Sequence, residues 1–266
     1  MILMKRIRKM KSLGTILLGT IGLLGMTPCL HAQSTEPSVS FAMGVAMLPD
    51  YEGSDTYEAV PLTLGRVEWA SGRYISLRGL SLSANVLASD TWEFGPVLSY
   101  RMERDDVDHL QVDALMTVDS ALEAGLFAAY NTGRWELGAE FRADVSDAHD
   151  GWLVELEANY ALLLEKDYQI FLGGFASYAD SNYMDTYFSV NELNGLRSGF
   201  RMYDAGAGFK DLGLELLANY QVNDSWSIIG LLQVSKLLGD AADSPLVDDA
   251  GSETQVLSGL ALNYRF

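Results

Sequence analysis

Trp135, Leu137, Ala139, Phe141, Ala143 and Val145 alternate with Glu136, Gly138, Glu140, Arg142 and Asp144, a two-residue period that places every apolar group on one face of a strand. A helix would scatter the same residues around its circumference. The pattern returns in Trp152, Val154, Leu156, Ala158, Tyr160 and Leu162, and in Val39, Phe41, Met43, Val45 and Met47 against small residues. Such runs have the roughly 9–11 residues that a tilted strand needs to cross a bilayer, where a soluble strand usually has about five or six. Further alternating runs cover residues 92–102, 122–130, 168–178, 212–222, 226–234 and 254–266.

The start of the chain reads as an export address. Lys5, Arg6, Arg8, Lys9 and Lys11 precede an uncharged apolar run, residues 13–26, and Leu30-His31-Ala32 resembles a small-residue cleavage site. Residues 1–32 are therefore expected to be a signal peptide and residues 33–266 a single barrel domain. Removing the signal takes away five of 18 basic residues and none of the 36 acidic ones, leaving a charge of −23. That balance repels phosphate backbones and excludes a nucleic-acid role. The single Cys29 lies inside the signal with Pro28 before it, so neither a lipid anchor, a disulfide nor a thiolate site is expected. Beyond residue 32 no apolar run is long enough for a membrane helix.

Short connections at Ser89-Asp90, Asn131-Thr132-Gly133, Lys166-Asp167 and Asn223-Asp224 read as hairpin turns, flanked by Trp92, Tyr130, Trp135, Tyr168, Tyr220 and Trp226. Long connections, residues 103–121, 146–151, 179–203 and 238–253, fall alternately between them. Short turns on one side and long loops on the other are the asymmetry of an outer-membrane barrel. An all-β, antiparallel transmembrane barrel follows, with periplasmic turns and acidic extracellular loops. A hairpin at Arg78-Gly79-Leu80 would give about twelve strands, and its absence about ten. The C-terminal strand alternates Leu260, Leu262, Tyr264 and Phe266, resembling the signal by which such barrels are recognised for assembly.

Chemistry-bearing constellations are sparse. His109 and His149 sit in acidic loops near Ser120 and Ser146, but no nucleophile motif accompanies them, so they read as solvated loop tips and catalysis is not expected. Asp105, Asp106 and Asp108, then Asp147 and Asp150, then Asp240, Asp243, Asp248 and Asp249 lack EF-hand spacing. No metal or cofactor site is expected. Glu136, Glu140, Arg142, Asp144, Glu155 and Glu157 lie on polar strand faces, where they either line a cation-favouring path or pair with Arg66, Arg101 and Arg142 to close the interior.

Tyr51-Glu52-Gly53-Ser54-Asp55-Thr56-Tyr57, with Pro61-Leu62 after it, resembles the opening loop of the MipA/OmpV family of outer-membrane proteins, named for an MltA-interacting member. In order, Tyr183-Met184-Asp185-Thr186-Tyr187-Phe188-Ser189-Val190, Ser198-Gly199, and Tyr203-Asp204-Ala205-Gly206-Ala207-Gly208-Phe209-Lys210-Asp211 resemble further stretches of that family. Leu238-Gly239-Asp240-Ala241-Ala242-Asp243-Ser244-Pro245-Leu246-Val247 resembles another. Tyr178, Ser189 and Phe200-Arg201 depart from the family's usual Trp, Gly and Leu-Pro. The resemblance implies an outer-membrane scaffold linking a lytic transglycosylase to a peptidoglycan synthase, in contact with lipid and lipopolysaccharide. A narrow cation-preferring solute channel is the alternative.

Overall fold

A computed structural model describes residues 36–266, and the expected signal peptide lies outside the described residues. Twelve antiparallel strands close on themselves: β1 (Ser38–Pro49), β2 (Tyr57–Glu68), β3 (Tyr74–Arg78), β4 (Ser81–Asn85), β5 (Trp92–Arg101), β6 (Ala121–Thr132), β7 (Trp135–Asp144), β8 (Trp152–Leu164), β9 (Tyr168–Ala179), β10 (Gly208–Gln221), β11 (Trp226–Leu237) and β12 (Thr254–Arg265). Closure comes from β1 against β12, with Phe41 opposite Tyr264 and Val45 opposite Leu260. The period-two pattern has its cause in this wall. Leu137 is 46% exposed on the outer face while its neighbour Glu136 is 1% exposed inside.

Aromatic pairs mark both rims of the apolar band. Trp92–Tyr130, Trp135–Tyr160, Tyr168–Tyr220 and Trp226–Tyr264 lie at the short-turn end with ring centroids 4.7, 4.8, 4.9 and 4.8 Å apart. Phe266 packs on Tyr264 at 4.8 Å. At the other end Phe141, Trp152, Tyr178 and Phe209 form a continuous chain of ring contacts.

The hairpin at Arg78-Gly79-Leu80 is present, which settles the count at twelve rather than ten. Gly79 turns it at φ 54°, a left-handed conformation suited to glycine. Its strands have only five residues each. β2 therefore pairs with β3 from Leu64 to Glu68, Thr63 accepts one further bond from the Gly79 N–H, and residues 57–62 have β1 as their sheet neighbour. Pro61 sits on that open edge, where its missing N–H leaves no donor unpaired.

Residues 208–211, which lie before the alternating run at 212–222, belong to β10, and Tyr57 of the opening-loop motif begins β2. A bulge between Phe209 and Asp211 turns two consecutive side chains, Lys210 and Asp211, towards the interior. The long loops also hold five short helices: α1 (Leu110–Asp113), α2 (Ser181–Phe188), α3 (Glu192–Ser198), α4 (Gly239–Ala242) and α5 (Pro245–Asp248). Caps start and stop the middle pair. Asp180 accepts the Tyr183 N–H and Asn191 the Asn194 N–H, while Gly199 ends α3 at φ 80°.

Candidate functional site

The motif residues scattered along the sequence converge on the long-loop mouth of the barrel, where they bond to one another. Tyr51 donates its hydroxyl to the Ala250 and Leu246 carbonyls at 2.9 and 3.2 Å. Ser244 Oγ, which also caps α5, donates to the Phe188 carbonyl at 2.6 Å. Asp240 accepts the Gly206 N–H at 2.7 Å, and its carbonyl accepts the Tyr203 hydroxyl at 3.0 Å. Gly53, at φ 97°, lets the chain pass Val247 and accept the Ser252 N–H at 2.8 Å. Ser54 Oγ accepts the Thr56 N–H and holds the turn.

Two apolar clusters fill the space between these bonds. One joins Tyr183, Met184, Tyr187 and Phe188 of α2 to Leu153, Ala205, Leu237 and Val247. The other joins Tyr51 and Leu246 to Val107, Val112, Leu115, Val190 and Phe200. The mouth is thus closed by a packed cap with a core of its own. Gly199, Gly239, Asp243 and Pro245 serve its turns and short helices; Asp243 follows α4 and Pro245 opens α5.

Beneath the cap lies a buried ionic network. Glu52 on the β1–β2 loop accepts from Lys210 Nζ and from the Tyr183 hydroxyl, each at 2.8 Å. Lys210 also bonds Asp211, which accepts the Ser177 hydroxyl at 2.6 Å. Alongside, Glu123 accepts from Arg101 Nε at 2.8 Å, and Arg142 Nε stands 3.8 Å from Glu123 and 3.1 Å from Glu140. The Arg101 guanidinium lies over the rings of Tyr183 and Tyr187, 5.0 and 5.3 Å from their centroids, tying wall to cap. Burial pushes the Glu52 carboxyl up, but the Lys210 and Arg101 cations more than offset this and hold it below its ordinary range. Burial also pushes the Tyr183 and Tyr187 hydroxyls up, so both stay neutral, and Tyr183 donates to Glu52. Desolvation lowers Arg104, whose guanidinium reaches the Tyr187 carbonyl at 3.0 Å, to about 10.

Around the arginines the strands' polar faces carry the ion pairs that one of the two readings expects. Arg66 bonds Glu68 at 2.9 Å, and Arg101 and Arg142 are engaged as above. The cavity between Glu52, Arg101, Glu155, Lys210 and Gln255 measures about 40 Å³, room for little more than water. Lower down, Ala42, Leu64, Phe171, Leu217, Ile229 and Ala261 pack together on the inner face of the neighbouring strands β1, β2 and β9–β12.

His149 is not the solvated loop tip that sequence reasoning makes it. Its side chain is 0% exposed, with Nε2 3.3 Å from Glu123 Oε1 and Nδ1 accepting the Gly151 N–H. Asp144 causes this by accepting the N–H groups of Ala148, His149 and Asp150, curling the loop inward with Asp147 and Asp150 at positive φ. Ser146 instead bonds Asp144, and the imidazole nitrogens are taken by Glu123 and the Gly151 N–H rather than by the serine a hydrolase triad would require. Among the described residues no group of three or more His, Cys, Asp or Glu is arranged to hold a metal ion.

Comparison with known proteins places this architecture. A family model, MltA-interacting protein MipA, matches residues 41–266. The chain is 30% identical over 211 residues to the outer membrane protein YiaT of Escherichia coli K12, covering 79% of this chain and 78% of that one. It is 27% identical over 167 residues to the MltA-interacting protein of the same organism, covering 63% and 65%. Among solved structures it is similar to the KdgM porin, with a TM-score of 0.44 at 12% identity over 85% of this chain and 99% of that one. With its twelve-stranded wall and its motif-built cap, this chain belongs to the MipA family of outer-membrane barrels.

Proposed function

We propose that the protein is a non-catalytic adaptor for murein enzymes, docking a lytic transglycosylase and a peptidoglycan synthase through its periplasmic turns and the strand ends beside them. The observation that carries this reading is the packed cap over the long-loop mouth, with a cavity of only about 40 Å³ beneath it, which favours outer surfaces over a passage for function. Kinship with a relative named for its interaction with MltA supports the choice of partner. The test is binding of the purified, detergent-folded barrel to lytic transglycosylases of its own organism, against an unrelated barrel of similar charge. Binding above the control that persists at physiological salt supports the adaptor. Binding no stronger than the control refutes it.

A cation-preferring channel is the second reading, favoured by one observation. Glu215 is 1% exposed inside the wall, and neither of its carboxylate oxygens has a hydrogen-bond partner among the described residues. Planar-bilayer recordings decide it: open events whose cation preference falls in Glu140→Gln/Glu157→Gln would establish the channel, and silence would dismiss it.

A further inference from the structure

The cap presents an apolar surface that its own packing does not use. α1 and α3 bury Val112, Asn194 and Ser198 against the mouth cluster and turn their remaining apolar side chains outward. Leu110 is 84% exposed, Leu196 79%, Met202 69%, Leu193 53% and Met116 45%. These are not scattered loop tips. Gln111 Nε2 donates to the Ser198 carbonyl at 3.1 Å and Asn194 Oδ1 accepts the Met116 N–H at 2.8 Å, so the two loops are bonded into one surface. Met202 lies against Gly195 of α3, beside Leu196. A bonded group of exposed large apolar residues is the mark of a contact surface, where single exposed leucines are not.

Charge identifies the occupant. The five mouth loops, residues 50–56, 102–120, 145–151, 180–207 and 238–253, carry twenty Asp and Glu against three Arg and no Lys. Asp106, Asp108, Asp113 and Glu192 are exposed on the same two loops as the patch. Of the three arginines, Arg104 is turned to the Tyr187 carbonyl, Arg201 to Asp248 and the Asp243 carbonyl, and Arg197 is exposed in the last turn of α3, outnumbered by the carboxylates around it. Apolar side chains framed by anions attract a partner that is apolar on one face and basic on the other, and reject phosphate-bearing or acidic ones.

We propose that the α1–α3 surface on the outside of the cell binds a cationic amphipathic segment of a peptide or protein, seating its apolar face on Leu110, Leu196 and Met202 and its basic side chains among the surrounding carboxylates. An amphipathic helix would seat on such a surface through apolar residues at i, i+3 and i+4. This surface lies on the face opposite the periplasmic turns and is independent of the adaptor reading.

The experiment uses the whole barrel in zwitterionic nanodiscs and a fluorescent helix-forming peptide of Lys and Leu, with a scrambled peptide of equal charge and empty nanodiscs as controls. The amphipathic peptide should bind at least about tenfold tighter than the scrambled one, and Leu110→Ser/Leu196→Ser should weaken it by about tenfold or more. Asp108→Asn/Asp113→Asn should lower affinity and flatten its salt dependence. Equal binding of both peptides, no binding, or indifference to the leucine changes overturns the proposal. Leucine-dependent capture by lipopolysaccharide vesicles also overturns it, by making the patch a membrane contact. Both sites are exposed, and an unchanged denaturation midpoint verifies that each variant is folded.

Discussion

Replacing Glu123 by Gln tests whether the charges under the cap act as a dry network. Glu123 is fully buried, 2.8 Å from Arg101 Nε, 3.8 Å from Arg142 Nε and 3.3 Å from His149 Nε2. Glu123→Gln keeps the shape and one acceptor but leaves the Arg101 guanidinium without its carboxylate. Removing one partner of a buried pair costs about 3–5 kcal/mol, chiefly through the stranded charge. With a guanidinium dependence of about 4 kcal/mol per molar, the unfolding midpoint of the barrel should fall by roughly 1 M. Arg101→Met/Glu123→Leu should recover most of that loss, since Arg142 retains Glu140 at 3.1 Å and no lone charge remains. Unfolding followed by tryptophan fluorescence reads both variants. A midpoint shift under about 0.25 M for Glu123→Gln, roughly 1 kcal/mol, would refute the reasoning, because it would mean that water screens the pair.

Three other outcomes follow from the same geometry. Gly53→Ala forces a left-handed residue with Cβ 2.4 Å from Val247 Cγ2, so hydrogen exchange over residues 244–252 should accelerate by the equivalent of about 1–3 kcal/mol; unchanged protection would contradict the strain. Glu52 is held below its ordinary value of 4.5, so the unfolded chain takes up its proton first as pH falls; its stabilisation is complete above about pH 4.5 and fades below it, and Glu52→Gln should flatten that acid limb of the midpoint against pH. Trp135 and Tyr160, with centroids 4.8 Å apart on the short-turn rim, should show a coupling of about 0.5–1.5 kcal/mol in a double-mutant cycle, and strict additivity would count against ring contact.

The wall of the barrel was legible in the sequence because lipid outside and a packed interior impose the same period on every strand. Even the short β3–β4 hairpin announced itself through Gly79. The cap was legible as motifs but not as a structure. α2 and α3 have eight and seven residues, too few for a helical period to show, and their visible signals were the caps Asp180, Asn191 and Gly199. The ion pairing under the cap depends on register. That Arg101 of β5 and Arg142 of β7 flank Glu123 of β6 is decided by which residues stand opposite, information that alternation alone does not carry. Lys210 and Asp211 point the same way only because of a bulge, and His149 turns inward only because Asp144 gathers four backbone N–H groups.

The half-height hairpin has a consequence for the lipids. Above Gly79, residues 57–62 offer main-chain groups along an edge with no strand beside it, and Pro61 removes only one of them. Hydrocarbon offers such an edge no hydrogen bonds, so a bilayer that follows the wall would let headgroups and water down towards the level of the hairpin tip along this meridian. Six residues of tilted strand correspond to a dip of about 15 Å in the outer leaflet. The annulus of lipid around this barrel is therefore uneven, full height beside the aromatic chain of β7–β10 and dented beside β2. Neighbouring proteins that relieve such a dent would gather at that one side, giving the barrel a preferred azimuth among its neighbours in the membrane.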